Sequence, residues 1–214
     1  MKWMIYWMNK PVIIIGNGGH ASVLVEIIQD AQIEIIGYTA PEEGSEFYNL
    51  PYLGDDDVVV EHHVNEIELV LGIGTITVSN LRKKKYAAFK SKGYTFATII
   101  HPSAIISPTV AIGEGTQIMA GAIIQTQSVL GENLIINTGA QIDHNSLIQH
   151  HSHIAPGVVL SGNVSVGENC HIGAGTTIIQ NITIGNRVLI GAGSLVLKNV
   201  EDDITAYGVP AQEV

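Results

Sequence analysis

Cysteine, basic residues and charge of either sign are scarce in this sequence of 214 residues, and so are long apolar runs. The one cysteine, Cys170, has no partner for a disulfide framework and no companions for a cysteine-based zinc site. It reads as a packed core thiol. Only 14% of the residues are charged, against 46% that are apolar. Such a balance fits a chain whose outer faces are covered, most simply by copies of itself. Ten basic residues against 20 acidic ones leave a net charge of −10, which argues against a non-specific nucleic-acid surface. The run Arg82 to Lys85 is the only basic cluster and reads as the solvated face of a helix. Met1 to Met8 is apolar but too short to span a bilayer, and it lacks the charged start and cleavage site of a signal peptide. A cytoplasmic chain with no membrane insertion is expected, with Trp3 and Trp7 available to cover a neighbouring surface.

In place of those features the sequence carries a repeat. Stepping by six from Ile106 to Val196 lands on Ile, Leu or Val at all sixteen steps. Two positions earlier the residue is usually small, as at Ala122, Ser128, Ser152 and Cys170. Three positions later it is Gly or Asn in twelve of sixteen cases, which suits a turn needing positive φ. Every third hexad resolves three corner columns. One is Gly121, Gly139, Gly157, Gly175 and Gly193; a second follows Gln127 with Asn145, Asn163, Asn181 and Asn199; the third is mixed, from Gly115 to Arg187. The full period is therefore eighteen residues, three short strands per coil, and the predicted fold is a triangular parallel β-helix of about five coils.

The first hundred residues read differently. Val12 to Ile15 is an apolar run that stops at Gly16-Asn17-Gly18-Gly19-His20-Ala21, and helical spacing follows from Ser22 to Asp30. Strand, glycine turn and helix in this order let a backbone approach a phosphate at a helix N-terminus. The acidic residue that a dinucleotide fold places after its second strand is absent, since Ile33 to Tyr38 runs into Thr39-Ala40-Pro41. NAD is not expected. Leu69 to Gly72, a helix over Ser79 to Lys92 and a last strand from Tyr94 to Ile100 complete a small parallel α/β domain. Its ligand is expected beside the Gly16 turn and Gly74. The boundaries predicted are residues 1–100 for this substrate domain and 101–214 for the β-helix with its tail.

Histidines are the candidate chemistry. His144 precedes corner residue Asn145, at an edge where another subunit can meet it, and Gly162 lies one coil above on the same edge. The bare backbone at Gly162 leaves room beside His144 and an N–H to donate. Asp143 is adjacent, but neighbouring residues in a strand point opposite ways, so it need not orient the imidazole. Asn145 reads as a turn residue. His153 and His171, eighteen apart just before the inward aliphatics, are expected to stack outward as an exposed or subunit-facing ladder.

Several segments together resemble one family. They are Gly16-Asn17-Gly18-Gly19-His20, Ile99-Ile100-His101-Pro102-Ser103-Ala104, Asp143-His144, Ser152-His153-Ile154, Gly162-Asn163-Val164 and Gly208-Val209-Pro210-Ala211. In this order, over nearly the whole chain, they resemble the PglD/NeuD-like sugar acetyltransferases. That family contains UDP-4-amino-sugar N-acetyltransferases and sialic acid O-acetyltransferases. The resemblance implies an α/β N-terminal domain on a left-handed β-helix of the hexapeptide-repeat type. It also implies a homotrimer with acetyl-CoA between neighbouring solenoids and no metal. His144, with Asp143 beside it, matches the general base, and Gly162 matches the glycine whose N–H holds the thioester oxygen. His153, Gly162, Gly173, Gly191 and Pro210 are the implied acetyl-CoA contacts. Gly16, Asn17, Gly18, Gly19, His20 and Gly74 are the implied sugar-nucleotide contacts. Two positions depart from the family: Asn145 stands where an acidic partner often follows the base, and Thr39-Ala40 where aspartates often meet the uridine. N-acetylation of a UDP-linked amino sugar is the leading expectation, and O-acetylation of sialic acid the nearest alternative. A zinc-dependent γ-type carbonic anhydrase shares only the fold, because its paired histidines have four residues between them and none here are so spaced. A non-catalytic scaffold or sugar-nucleotide sensor is the remaining class.

Overall fold

The computed structural model describes residues 10–44 and 46–214, so Trp3 and Trp7 lie outside the described residues. Contacts divide the chain into two units. One runs through Gly74 and resumes over Lys84–Ile99; the other comprises Thr75–Lys83 and Ile100–Val214.

In the first unit four parallel strands, β1 (Val12–Ile15), β2 (Ile35–Thr39), β3 (Tyr52–Gly54) and β4 (Glu68–Leu71), form a sheet of order β3-β2-β1-β4. β1 has neighbours on both sides and cover on both faces. Its four side chains are accordingly apolar without alternation, and none is more than 1% exposed. Helix α1 (Gly19–Asp30) buries Ala21, Leu24, Val25, Ile27 and Ile28 along one face. A Cβ on Gly72 would lie 2.7 Å from the Ala21 Cβ, so glycine there lets the start of α1 close onto the end of β4. The acidic stretch before Asp57 holds more structure than its composition suggests. It contains β3 and leads into a 3₁₀ turn, Asp56–Glu61, whose first N–H groups include one capped by Asp55. Of the expected strand from Tyr94 to Ile100, one bridge between Leu69 and Phe96 remains beside β4, and Ile99–Ile100 forms the first strand of an eight-stranded sheet instead. The chain there has to leave the sheet: Ile100 already belongs to the solenoid core, and the His101 N–H donates to Ile118 O.

In the second unit the hexads are two-residue strands from Ile105–Ile106 to Leu195–Val196, and each as far as Thr177–Ile178 pairs in parallel with the strand eighteen residues on. They stack into three sheets of five, six and eight strands, a left-handed parallel β-helix. The eight-stranded sheet ends in an antiparallel hairpin of Thr205–Gly208 and Ala211–Glu213. The inward aliphatics Ile118, Ile136, Ile154, Ile172 and Ile190 are fully buried. The small inward positions do more than save space. Ser152 Oγ donates to Gly167 O at 2.7 Å and accepts the Cys170 N–H at 2.9 Å, tying one coil to the next. Cys170 repeats the pattern, with Sγ 3.0 Å from Gly185 O and the Val188 N–H reaching it at 3.4 Å. Burial pushes its thiol up to about 11.

The corners adopt the left-handed conformation, at φ 66–69° in the glycine column and 60–62° at Asn145, Asn163 and Asn181. Asn199 does not. Its side chain instead accepts the Thr183 N–H at 2.9 Å, and in the last coil Asp203, at φ 65°, takes a corner and holds Arg187 through two hydrogen bonds.

Two sequence expectations are corrected by the segment Thr75–Lys83, which covers one face of the solenoid. The basic run is not a solvated face. Arg82 is only 2% exposed and donates to Gln117 Oε1 at 3.0 Å, and Lys83 pairs with Glu168 at 2.7 Å. Lys85 pairs with Asp56 in the α/β unit, which leaves Lys84 as the exposed member. A chain with so few cations uses three of these four to satisfy polar partners. Likewise the His153–His171 ladder forms, with ring centroids 4.9 Å apart, but it is neither exposed nor left open to a partner. The two residues are 7% and 8% exposed beneath the covering segment.

Candidate active site

His144 occupies the first turn position between strands Gln141–Ile142 and Leu147–Ile148. The turn is pinned from both neighbouring coils. Asp143 N–H donates to Leu160 O, Asn145 N–H donates to Thr126 O, and Ser128 Oγ donates to Asp143 O. Asp143 uses its carboxylate on the backbone N–H of His144, at 2.7 Å, and not on the imidazole. The ring partner is Asn145, whose Oδ1 lies 2.8 Å from His144 Nδ1. Asn145 is thus both the turn residue its column requires and the group that orients the histidine. An amide oxygen can only accept, so Nδ1 carries the proton and Nε2 keeps its lone pair. Among the described residues Nε2 has no hydrogen-bond partner.

Gly162 lies against that ring. A Cβ built on it would come within 2.6 Å of His144 Cε1 and Nε2. The missing side chain therefore makes room for the imidazole itself, where the sequence suggested room for a ligand. The Gly162 N–H has no acceptor among the described residues. The His144 corner thus brings together an imidazole with one nitrogen anchored and one available, and an uncommitted backbone donor beside it. Such a pair can accept a proton from a nucleophile and stabilise an oxyanion.

The other implied cofactor residues are placed apart from this corner. His153, on the covered face, has Nδ1 2.9 Å from Thr75 O and Nε2 3.0 Å from Asn137 Nδ2. Because the Thr75 carbonyl must be donated to, His153 is also held as the Nδ1–H tautomer. Gly173 and Gly191 are one coil apart, and each meets the next level closely. A Cβ would fall 2.5 Å from Ala192 N at Gly173 and 2.6 Å from Tyr207 Cβ at Gly191. Pro210 sits at the tip of the terminal hairpin, next to exposed Tyr207 and Val209. Sequence reasoning passed over Thr75 and Asn137. It also passed over Gln127, whose Oε1 accepts from Asn145 Nδ2 at 2.8 Å. The signal for Gln127 was its place as the one break in an asparagine column.

In the α/β unit the glycine turn Gly16, Asn17, Gly18, Gly19 leads directly into α1, which begins three residues earlier than its apolar spacing shows. The N-cap Gly18 supplies no side-chain cap, and the first turn holds no acidic residue. The positive end of the helix dipole therefore faces the glycine turn with no carboxylate beside it. Gly74 and His20 are adjacent, as expected: a Cβ on Gly74 would lie 3.1 Å from the His20 Cβ. Asn17 Nδ2 reaches Glu42 O at 3.3 Å, which draws the loop after β2 against the turn. No acidic residue stands directly after β2, where Ala40-Pro41 follow, yet Asp56 reaches its end, accepting from Thr39 Oγ1 at 2.6 Å.

A glycine turn at a helix start, followed by a β-helix with an anchored corner histidine, is the architecture of a hexapeptide-type transferase. Residues 11–89 match the PglD N-terminal domain model, and residues 163–198 match that of the bacterial transferase hexapeptide, six repeats. The perosamine N-acetyltransferase of Caulobacter crescentus, solved as a histidine variant with CoA and GDP-perosamine, is 34% identical with a TM-score of 0.90. That alignment covers 96% of this chain and 97% of its own. The acetyltransferase domain of PglB from Neisseria gonorrhoeae, solved with acetyl coenzyme A, is 30% identical over 96% of this chain and all of its own, with a TM-score of 0.90. A curated UDP-N-acetylbacillosamine N-acetyltransferase of Bacillus subtilis is 37% identical over 119 residues, and the chain spans about half (52%) of its length. The chain belongs to the hexapeptide-repeat sugar N-acetyltransferases that carry a PglD-type N-terminal domain. No described group of three or more His, Cys, Asp or Glu is arranged to hold a metal, and no described helix is long and apolar enough to cross a membrane.

Proposed function

We propose that this protein transfers the acetyl group of acetyl-CoA to the amine of a nucleotide-linked amino sugar, with His144 as general base. The observation that carries the reading is the His144 corner, with Nδ1 anchored on Asn145, Nε2 available and the Gly162 N–H alongside. The sugar amine attacks the thioester carbonyl carbon, and His144 Nε2 takes the proton that the nitrogen must lose. The Gly162 N–H donates to the developing oxyanion, an effect typically worth about 3 kcal/mol per donor. When the C–S bond breaks, the proton on His144 passes to the CoA sulfur, which returns the base to its starting state. No covalent acyl-enzyme is needed. The two relatives solved with CoA or acetyl-CoA support the co-substrate, and the GDP-perosamine complex supports a nucleotide sugar as acceptor.

The uncapped helix start at Gly18-Gly19-His20, with Gly16, Asn17 and Gly74 around it, holds the diphosphate of that sugar. A UDP-linked 4-amino sugar is the leading acceptor. The protein works as a homotrimer. Ile105 (64% exposed), Val129 (45%) and Leu147 (40%) project from the two faces that flank the His144 corner, which supports burial of those faces by further copies. Gly173, Gly191 and Pro210 belong to the CoA-binding side of the assembled site, and His153, covered and bonded at both ring nitrogens, supports that side from within. The reaction is cytoplasmic in this reading, since acetyl-CoA and nucleotide sugars are cytoplasmic metabolites.

The test is CoA release from acetyl-CoA against UDP- and GDP-linked amino sugars and free sialic acids, run beside His144→Ala. Turnover of a nucleotide-linked amino sugar, reduced roughly 10²–10⁴-fold in the variant, is expected. Turnover confined to sialic acids, or undiminished in His144→Ala, overturns the reading.

A further inference from the structure

The catalytic corner contains a third residue, one coil below the histidine. In the asparagine column the amides form a ladder along the solenoid. Above the histidine the ladder donates upward, from Asn163 Nδ2 to Asn181 Oδ1 at 2.8 Å. At the histidine it reverses. Asn145 donates downward, from Nδ2 to Gln127 Oε1 at 2.8 Å, while its Oδ1 faces His144 Nδ1 at 2.8 Å. The reversal falls where the column carries Gln127 in place of asparagine, a side chain one methylene longer.

An asparagine amide presents an oxygen or an NH₂ to a neighbour with almost the same shape, and only its other contacts decide which. Asn145 is exposed and its backbone is held at φ 60°, so its side chain has little else to fix the choice. If NH₂ faced His144, Nδ1 would have to accept and the proton would sit on Nε2. The imidazole would then be unable to take a proton at the nitrogen beside Gly162. A carboxylate in this position needs no such control, because both of its oxygens accept. An asparagine does.

We infer that Gln127 is a positioning residue for the acetyl transfer proposed above: by accepting from Asn145 Nδ2 it directs Asn145 Oδ1 at His144 and holds the base as its Nδ1–H tautomer. The inference rests on the reading of His144 as the base, but the relay has its own readout. Gln127 itself holds a left-handed corner at φ 59°, and its N–H is bonded to Thr109 Oγ1 at 2.9 Å, so the backbone stays fixed when the side chain is changed.

The experiment compares Gln127→Met, which keeps the length and removes the acceptor, with Gln127→Glu, which keeps an acceptor. Side-chain ¹⁵N spectra of histidine-labelled protein, assigned with His144→Ala, report the His144 tautomer without any substrate. The expected result is an Nδ1–H tautomer in the parent and in Gln127→Glu, and a mixture in Gln127→Met. In acetyl transfer, Gln127→Met lowers kcat roughly five- to tenfold, the weight of one net hydrogen bond, with KM for acetyl-CoA unchanged, and Gln127→Glu restores it. An Nε2–H tautomer in the parent, or a Gln127→Met protein with parental tautomer and kcat, overturns the inference. Should the acetyl-transfer reading fail, the spectra still decide whether Gln127 sets the tautomer.

Discussion

Replacing Gly162 with alanine separates the geometry of the base from the stability of the fold. Gly162 lies outside the left-handed region, so alanine strains no backbone there. The three atoms nearest the added methyl group all belong to the exposed imidazole of His144, with Cε1 and Nε2 at 2.6 Å where ordinary contact begins at 3.4 Å. The ring must retreat by about 1 Å, a displacement that in a positioned reaction costs on the order of 10²-fold. It does so by turning away from Asn145 Oδ1, which also releases the tautomer. Meanwhile the unfolded chain loses backbone freedom, and the methyl group offsets any lost packing by about 0.4–1 kcal/mol. The expected phenotype is a kcat for acetyl transfer about 100-fold lower, with the thermal midpoint within about 3 °C of the parent. Thiol release from acetyl-CoA and a melting curve on the same preparation measure both. A Gly162→Ala protein that melts like the parent and keeps kcat within about threefold refutes the argument that this glycine exists to seat the imidazole.

Acid stability is set beneath the segment Thr75–Lys83. Burial lowers His151 from 6.5 to about 4 against the opposing pull of Glu168, and burial lowers His171 as well. Between those pH values the unfolded chain binds the proton and the folded chain does not. For His151 stability is therefore complete above about 6.5 and declines as the pH falls toward about 4, by at most about 1.4 kcal/mol per pH unit, and His171 adds a decline of the same sign. Denaturant midpoints at pH 7.5, 6 and 5 follow this decline; His151→Asn, which suits the left-handed corner, makes it shallower, and a flat parental profile contradicts the account. Cys170 is buried with its thiol near 11, so a soluble disulfide reagent leaves the native protein unmodified at pH 7.4 over the time in which it labels the unfolded chain. Cys170→Ser, which restores the hydroxyl used by Ser152 one coil below, shifts stability by less than about 1.5 kcal/mol in equilibrium unfolding. Ile154→Ala, at a fully buried inward position, costs roughly 2–5 kcal/mol in the same experiment.

The solenoid was legible because each of its determinants is local and repeated. An inward aliphatic every six residues fixes the coil, and Gly or Asn at the corner supplies the positive φ, as at Gly139 (66°) and Asn163 (60°). The glycine turn and first strand were legible for the same reason. What lay hidden depends on where distant segments come to rest. Nothing in the pattern of Thr75 to Lys83 announces that Arg82 will be buried on Gln117 or that Thr75 will hold His153. The same holds for Asp56, which supplies at the end of β2 the acidic group that the sequence directly after that strand lacks.

Within the repeat, the proposed site lies among the departures, but a departure alone does not identify it. His151 and His171 depart from their columns as plainly as His144 does, yet both are covered and kept from titrating at neutral pH by burial. His144 differs in being exposed at a corner, with one nitrogen anchored and the other available over a residue that has no side chain. Gln127 differs from the rest of its column in the direction of its hydrogen bond as well as its identity. The eighteen-residue period that builds the scaffold also sets Asn145 and Gly162 against one imidazole, with Gln127 behind Asn145. A catalytic corner can therefore arise in such a fold from a few substitutions along one edge, with no loop inserted and no coil disturbed.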